Sequence, residues 1–202
     1  AYFNRGAALL ARTTALTGQE QIGVAIQLAF EAMDLFEKSL LLAPDDLEAK
    51  QNFERAGRLR LKLEYNLGRW YYDQAEELLP QYKAKDARTN YQQALKQFNH
   101  ILENVDPDHG ESKQYVPKIE ERLQMLALAV EAAEFDLELA LKQIEDYQYL
   151  LAAQRLTTET DERKYAFDIQ PDLKKKYEET IQKNQEVLKI IQDLFPDANK
   201  IQ

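Results

Sequence analysis

Few side chains in this 202-residue chain are suited to catalysis. The chain has no cysteine, its only serines are Ser39 and Ser112, and its only histidines are His100 and His109. It has no glycine-rich phosphate loop, no nucleophile elbow and no histidine–glutamate pair at metal-binding spacing. Carboxylates are abundant, but they are equally typical of a solvated helix face. We therefore predict a protein that is not an enzyme, with no catalytic residue and no cofactor.

One loop gathers groups of the kind that bind cations: Asp106, Asp108, His109 and Glu111. Clustered carboxylates are what hard cations such as calcium require. The glycine of a calcium-binding helix-loop-helix stands sixth in its loop, whereas Gly110 stands fifth, and Pro117 occupies the place of the closing glutamate. The segment is therefore predicted to be a helix-capping turn without a metal.

The third predicted helix carries a basic face opposite an apolar one. At 100° per residue, the predicted core face comprises Phe53, Ala56, Leu63, Leu67, Tyr71, Gln74 and Leu78. The opposite face, called the basic stripe below, comprises Arg55, Arg58, Lys62, Asn66 and Arg69. Along the flank of the basic stripe run Leu61, Tyr65 and Tyr72.

The composition of this face suits recognition of carboxylates. Guanidinium and amide groups bind carboxylate oxygens, and tyrosine adds contact area at little entropic cost. We predict that the basic stripe, with Tyr65 and Tyr72, binds a protein or peptide partner, in particular an acidic one. The alternative is that these cations pair with acidic residues of adjacent helices, which contributes less than about 1 kcal/mol per pair.

Charge and hydropathy exclude other classes of partner. The formal net charge of -9 repels a phosphate backbone and an anionic membrane surface, so nucleic-acid binding is not expected. No stretch approaches the roughly 20 apolar residues of a membrane span, so membrane insertion is not expected either. The absence of cysteine does not fix the compartment, and cytoplasmic and periplasmic locations both stay open.

The pattern of the chain predicts an all-α fold. Glycine and proline cluster at a few points, and apolar residues between them recur every three or four positions without β-type alternation. Six helices are predicted, near residues 1–16, 19–43, 46–79, 83–105, 116–156 and 172–195. Asp46 and Asp172 are predicted N-caps, and Pro117 is expected in a first helical turn. Residues 157–171 are predicted to form a loop with a short ordered turn around Phe167 and Ile169.

A set of residues recurs 62 positions along the chain. Gly6, Ala32, Phe36, Leu40 and Asp46 recur as Gly68, Ala94, Phe98, Leu102 and Asp108. Fixed offsets of this kind mark a repeated packing unit, in which a small residue lets two helices approach and a large residue fills the gap beside it.

The repeated unit resembles a tetratricopeptide repeat. The family's second-helix pattern is matched by Ala32, Phe36, Ser39 and Pro44, and its first-helix pattern by Leu67, Gly68 and Tyr71. The resemblance implies antiparallel helix pairs that bind other proteins, and Asn66 stands where the family places an asparagine that contacts acidic or C-terminal peptide ends. The family has 12 residues between its glycine and alanine, whereas both copies here span 26. The surplus of 14, about two helical turns on each arm, predicts hairpins lengthened at the tip.

A shorter match concerns residues 47–54. This segment resembles the one that follows the repeat in tetratricopeptide proteins of bacterial aerotolerance operons, which accompany von Willebrand factor A-type proteins at the cell envelope. The resemblance to tetratricopeptide repeats covers residues 1–110, and residues 111–202 are predicted to form a long-helix hairpin packed on them as one continuous unit.

The second region carries a heptad seam. Steps of four and three join Ile119, Leu123, Leu126, Val130, Ala133, Leu137, Ala140, Ile144, Tyr147 and Leu151. The last helix keeps the alternation with Tyr177, Ile181, Asn184, Leu188, Ile191 and Phe195. The first seam is expected to close on the last helix, on the preceding hairpin or on a second copy; in the last case the protein is a structural homo-oligomer joined through residues 119–151. Asn184 either fixes the register of its seam or lies at an exposed edge.

Overall fold

The computed structural model describes residues 1–16 and 21–196, and over these ranges the protein is all-α, which confirms the predicted fold class. The helices are α1 (Tyr2–Ala15), α2 (Ile22–Leu42), α3 (Leu47–Leu78), α4 (Ala84–Asn104), α5 (Gly110–Glu145), α6 (Tyr149–Thr157), α7 (Asp161–Ile169) and α8 (Pro171–Leu194). A short 3₁₀ turn, Leu79–Gln81, follows α3. The first four helices lie within a few residues of their predicted bounds; residues 19 and 20 of the second prediction lie outside the described residues.

The chain forms two compact units. The first comprises residues 1–73 and 90–120, and the second comprises residues 74–89 and 121–202. No single cut in the chain separates them, since α3, α4 and α5 each contribute residues to both.

Two glycine–phenylalanine contacts organise the first unit. A methyl group built on Gly6 would lie 3.0 Å from Cε1 of Phe36, and one built on Gly68 would lie 3.0 Å from Cε1 of Phe98. Both rings are fully buried. Each contact joins an earlier helix to the helix that returns beside it, so α1–α2 and α3–α4 are antiparallel hairpins. The predicted packing role of the repeated glycine and phenylalanine is therefore confirmed.

Positions 62 residues apart also make equivalent contacts where the two residue types differ. Phe3 lies edge-on to Phe36 with ring centroids 5.9 Å apart, and Tyr65, 62 positions later, lies 6.0 Å from Phe98. Further pairs at the same offset are buried in both copies: Thr13 and Ala75, Ala25 and Ala87, Ala29 and Tyr91, Ala32 and Ala94. The same positions thus carry the packing of both hairpins even where alanine has become tyrosine.

The heptad seam of α5 is buried by helices of the same chain. The core of the second unit comprises Val130, Ala133, Leu137, Ala140, Ala152, Leu156, Ala166, Leu173 and Tyr177. The Tyr177 hydroxyl donates a hydrogen bond of 2.7 Å to the carbonyl of Ala133. Over residues 130–144 the structure has the expected arrangement in which the seam closes on the last helix, with α6 and α7 completing the core. Asn184 is buried rather than exposed, and its Nδ2 donates to the Tyr149 carbonyl at 2.9 Å.

The prediction of one helix over residues 116–156 is wrong, because Tyr147 ends α5. Tyr147 has a φ of 60°. The N–H of Gln148 donates to the carbonyl of Gln143 at 2.7 Å, and the N–H of Tyr147 donates to the carbonyl of Ile144 at 3.1 Å. These two bonds form a Schellman motif with tyrosine at the position that glycine usually takes. The seam therefore stops at Ile144, and Tyr147 is 81% exposed.

One predicted N-cap is confirmed and two predicted helix starts are wrong. Asp46 caps α3, because its carboxylate accepts a hydrogen bond of 3.0 Å from the N–H of Ala49. Gln170, not Asp172, is the N-cap of α8, since Pro171 takes the first helical position. Pro117 lies inside α5 rather than in its first turn.

The predicted loop over residues 157–171 contains α7. The hydroxyl oxygen of Thr160 caps this helix by accepting from the N–H of Arg163 at 3.1 Å. The guanidinium of Arg163 is buried, and it donates to Asp136 at 2.9 Å and to the Leu156 carbonyl at 3.1 Å. These bonds to α5 and to the end of α6 hold the short helix α7 in place, which a pattern of apolar residues does not reveal.

Candidate functional site

The basic stripe lies on the solvent side of α3. Its five residues, Arg55, Arg58, Lys62, Asn66 and Arg69, are all exposed. The buried side of the helix is centred on Ala56, Glu64 and Gly68, so helical geometry places the stripe directly opposite. The structure thus brings together the polar residues of the predicted site as one continuous row.

The ion pairs of the basic stripe are local and weak. Arg58 lies 3.5 Å from Glu54, and Arg69 lies 3.7 Å from Asp73, each partner being one turn away on α3 itself. More than half of each of these side chains is exposed, so each pair contributes less than about 1 kcal/mol. The alternative prediction, that the cations pair with acidic residues of adjacent helices, is therefore wrong for these two arginines.

The flanking tyrosines belong to an aromatic cluster of the first unit. The ring of Tyr65 lies 5.3 Å from His109 and 6.2 Å from Tyr115, and the ring of Tyr72 lies 5.1 Å from Tyr115. Both tyrosines are half-buried. Burial, and next the neighbouring Tyr115 hydroxyl, raise the pKa of Tyr65 above its ordinary value. These two residues of the predicted site therefore pack the hairpin and offer a partner only their outer edges.

The buried face of α3 is rotated from the predicted one. Leu63, Leu67 and Tyr71 are only half-buried, whereas Glu64 is 1% exposed. A pattern of apolar residues does not reveal this, because a charged side chain such as that of Glu64 is expected on the surface. Burial of Glu64 is compensated by Arg60, as described next.

Glu64 is held by two cationic or polar neighbours. Arg60 Nε donates to Glu64 Oε1 at 2.7 Å, and His100 Nε2 lies 3.6 Å from Oε2. The Arg60 guanidinium also lies 5.0 Å from the centroid of the Phe30 ring. A buried carboxylate is tolerated only with such partners, since an unpaired one is costly. This network fixes the Arg60 side chain between α2, α3 and α4.

A cleft of about 390 Å³ opens beside the basic stripe. Its walls come from α2, α3 and the end of α4, and it is lined by Met33, Glu54, Gly57, Arg58, Arg60, Leu61, Asn104, Val105 and Asp106. Arg58 belongs both to the basic stripe and to this cleft. The sequence pattern identifies Leu61 only as a flanking residue of the stripe, and it gives no signal for the cleft, because the walls of the cleft are distant in sequence.

The loop before α5 is a capping turn. The N–H of Ser112 donates to His109 Nδ1 at 3.3 Å, which caps the helix, and the N–H of Asp108 donates to Asp106 Oδ1 at 3.0 Å. Lys113 Nζ pairs with Asp108 at 2.9 Å. Among the residues that the structure describes, no group of three histidine, aspartate or glutamate side chains is placed to hold a metal ion.

Comparison with protein-family models, curated proteins and solved structures finds no significant match to this chain. Over residues 1–16 and 21–196, no helix has the length and apolar character needed to cross a membrane. The class that fold and site define is thus an all-α protein of packed helical hairpins with an exposed basic helix face.

Trp70, the chain's single tryptophan, follows Arg69 on α3. Its side chain is half-buried, and its ring lies 4.9 Å from the ring of Tyr71.

Proposed function

We propose that this protein is a non-enzymatic interaction module, related in design to tetratricopeptide repeats, and that the basic stripe of α3 binds an acidic segment of a protein partner. The observation that carries the proposal is the row of exposed cations on a chain whose formal net charge is -9. Side chains that serve only to keep a helix face in contact with water do not need an excess of positive over negative charge. Among the described residues, two carboxylates, Glu54 and Asp73, form ion pairs with the four cations of the row.

The chemistry of the stripe favours carboxylates as its ligands. Arginine binds carboxylate oxygens with a planar pair of donors, and the amide of Asn66 adds a donor between the cations. Because the existing pairs of Arg58 and Arg69 are exposed and weak, a partner's carboxylates replace them at little cost. The resemblance of Asn66 to the family's peptide-binding asparagine supports the same assignment.

The alternative function, a structural homo-oligomer joined through residues 119–151, has less support. Val130, Ala133, Leu137 and Ala140 are buried against α6, α7 and α8 of the same chain. A second copy would have to displace these helices to reach this part of the seam, although Tyr147 and Leu151 at its end are exposed.

A matched pair of charge-reversal variants tests the proposal. The test variant combines Arg58→Glu, Lys62→Glu and Arg69→Glu. The control combines Lys174→Glu, Lys175→Glu and Lys176→Glu on α8, which changes the net charge equally at exposed residues. The control is also matched in pairing, since Lys174 and Lys175 have partners one turn away, as two of the stripe cations do.

The expected result is that affinity capture from a lysate recovers a partner with the unmodified protein and the control variant but not with the test variant. Recovery that falls as salt is raised is also expected, since exposed charges are screened. Equal capture by the test variant, with circular dichroism confirming its fold, would reject the basic stripe as the binding surface.

A further inference from the structure

Gly57 lies in the interior of α3 without a packing reason. Glycine weakens a helix relative to alanine, so a helix-interior glycine calls for an explanation. For Gly68 the explanation is the Phe98 ring, which leaves no room for a side chain. A methyl group on Gly57, in contrast, would lie 3.6 Å from Cε of Met33, an ordinary van der Waals distance. Helix packing therefore does not require glycine at this position.

A side chain at residue 57 would, however, fill the cleft beside the basic stripe. Gly57 lies in the wall of that cleft together with the half-buried apolar side chains of Met33, Leu61 and Val105. Charged and polar groups of α3 and of the end of α4 form the rest of the lining. The absence of a side chain at residue 57 thus keeps an apolar recess open below a charged rim.

One wall of this recess is held in position before any partner arrives. Arg60 lines the cleft, and its guanidinium is fixed by the 2.7 Å bond to buried Glu64 and by the Phe30 ring. Only 13% of the Arg60 side chain is exposed. A preformed wall lowers the ordering cost of binding, which favours use of the recess as a site.

We infer that this cleft receives one apolar side chain, of the size of leucine or methionine, from the acidic segment that the basic stripe binds. The inference rests on the proposed function. The basic stripe, with its excess of positive charge, selects an acidic segment. The cleft itself is balanced in charge, since Glu54 and Asp106 line it beside Arg58 and Arg60, so it suits an uncharged apolar side chain of that segment. The volume of about 390 Å³ is near the small end of ligand pockets and suits an anchoring side chain rather than a whole helix.

Two labelled peptides test the inference with the full chain. Both are short runs of glutamate; one has a central leucine and the other a central alanine. Fluorescence anisotropy should show that the unmodified protein binds the leucine peptide about tenfold more tightly, the effect expected for burying one aliphatic side chain. The variant Gly57→Leu should remove this preference, so that both peptides bind with the weaker affinity.

The control variant is Gly23→Leu on α2, where a side chain meets no atom within 4 Å among the described residues. It should retain the preference for leucine. Gly57→Leu is expected to melt at or above the temperature of the unmodified protein, because it replaces a helix-interior glycine whose added Cβ meets Met33 at an ordinary distance and whose remaining atoms enter the cleft.

The outcomes separate this inference from the proposed function. Equal binding of both peptides by the unmodified protein, or an undiminished leucine preference in Gly57→Leu, overturns the cleft as the anchor site. If the stripe variant Arg58→Glu, Lys62→Glu, Arg69→Glu still loses both peptides, the proposed function stands without the anchor. If neither peptide binds the unmodified protein, both are overturned.

Discussion

Phe36 and Phe98 have the same neighbour on one side and different neighbours on the other. Each ring lies against a glycine at the same distance, in the same kind of antiparallel hairpin. Phe36 is otherwise surrounded by Phe3 and by aliphatic side chains such as Leu10. Phe98 is packed between aromatic rings, and the ring of Tyr115 stacks on it at 4.8 Å with an interplanar angle of 13°.

The difference shows which contacts this architecture fixes and which it leaves free. In both hairpins the phenylalanine ring lies 3.0 Å from the place of an added Cβ, so glycine is favoured at both positions. The outer neighbours need only fill volume, so aliphatic residues and tyrosines both serve. In the second hairpin the tyrosines bring a cluster of aromatic rings and hydroxyl groups to the helix that carries the basic stripe.

The largest expected effect comes from removing the two rings. Phe36→Ala and Phe98→Ala each leave a cavity at a fully buried site, which lowers the free energy of unfolding by about 4 kcal/mol. Phe98→Ala should cost about 1 kcal/mol more, since it also removes the stacked contact with Tyr115. Urea unfolding followed by circular dichroism measures both. Equal losses would mean that the aromatic neighbours of Phe98 contribute volume alone.

The next effect concerns Glu64 and its counterpart in the first hairpin. Tyr2, 62 positions earlier, is 45% exposed, whereas Glu64 is buried and paired with Arg60. Glu64→Ala leaves the Arg60 guanidinium without its carboxylate and should lower the free energy of unfolding by about 3 kcal/mol. Tyr2→Ala should change it by less than about 0.5 kcal/mol. A loss below about 1 kcal/mol for Glu64→Ala would show that the buried pair is easily replaced by solvent.

A smaller effect is expected from side chains on the glycines. Gly6→Val and Gly68→Val force the facing phenylalanine to move and should each cost about 2 kcal/mol. Gly57→Val is the control, because its Cβ meets only Met33 at an ordinary distance, and it should not destabilise the protein. Thermal unfolding of the three variants makes the comparison. If Gly68→Val were as stable as the control, the close approach would not be what selects glycine.

The smallest effect is a dependence on pH at the position of Tyr65, which its counterpart Phe3 in the first hairpin does not have. Burial raises the pKa of Tyr65 in the folded protein, so the folded state keeps the proton to a higher pH than the unfolded chain, whose tyrosines titrate near pH 10. The contribution of Tyr65 to stability is therefore complete below about pH 10 and is lost as the pH rises through its folded pKa. Phe3, the counterpart, does not ionise.

The variant Tyr65→Phe isolates this effect. Its unfolding free energy should fall less between about pH 9 and pH 11 than that of the unmodified protein. Tyr165 and Tyr177, whose pKa values burial also raises, remain in both proteins and cancel in the comparison. An unchanged pH dependence would show that the Tyr65 hydroxyl stays hydrated in the folded state.

The sequence predicts the packing and the basic stripe correctly where the type of a residue depends directly on its surroundings. The glycine–phenylalanine contacts were predicted because these types are preserved at the 62-residue offset. The basic stripe was predicted because exposed cations recur at the helical period. The equivalence of Phe3 and Tyr65 could not be predicted. Both rings fill space beside a buried phenylalanine, and the change of residue type conceals this shared role.

The remaining errors have specific physical causes. Tyr147 ends α5 in a left-handed conformation that a pattern search assigns to glycine. Glu64 is buried because Arg60 lies one turn away, and only the three-dimensional arrangement shows that the pair faces inward. The cleft could not be predicted, because Met33, Gly57 and Val105 are brought together only by packing of three helices.

The position of Trp70 gives the molecule an optical reporter of its own surface. Because the chain has a single tryptophan, and because that residue directly follows Arg69 of the basic stripe, the tryptophan emission of the protein originates beside the proposed contact. The indole is half-buried against Tyr71, so its emission depends on how much water reaches the edge of this helix. Occupation of the stripe can thus be followed by emission wavelength in the unlabelled protein.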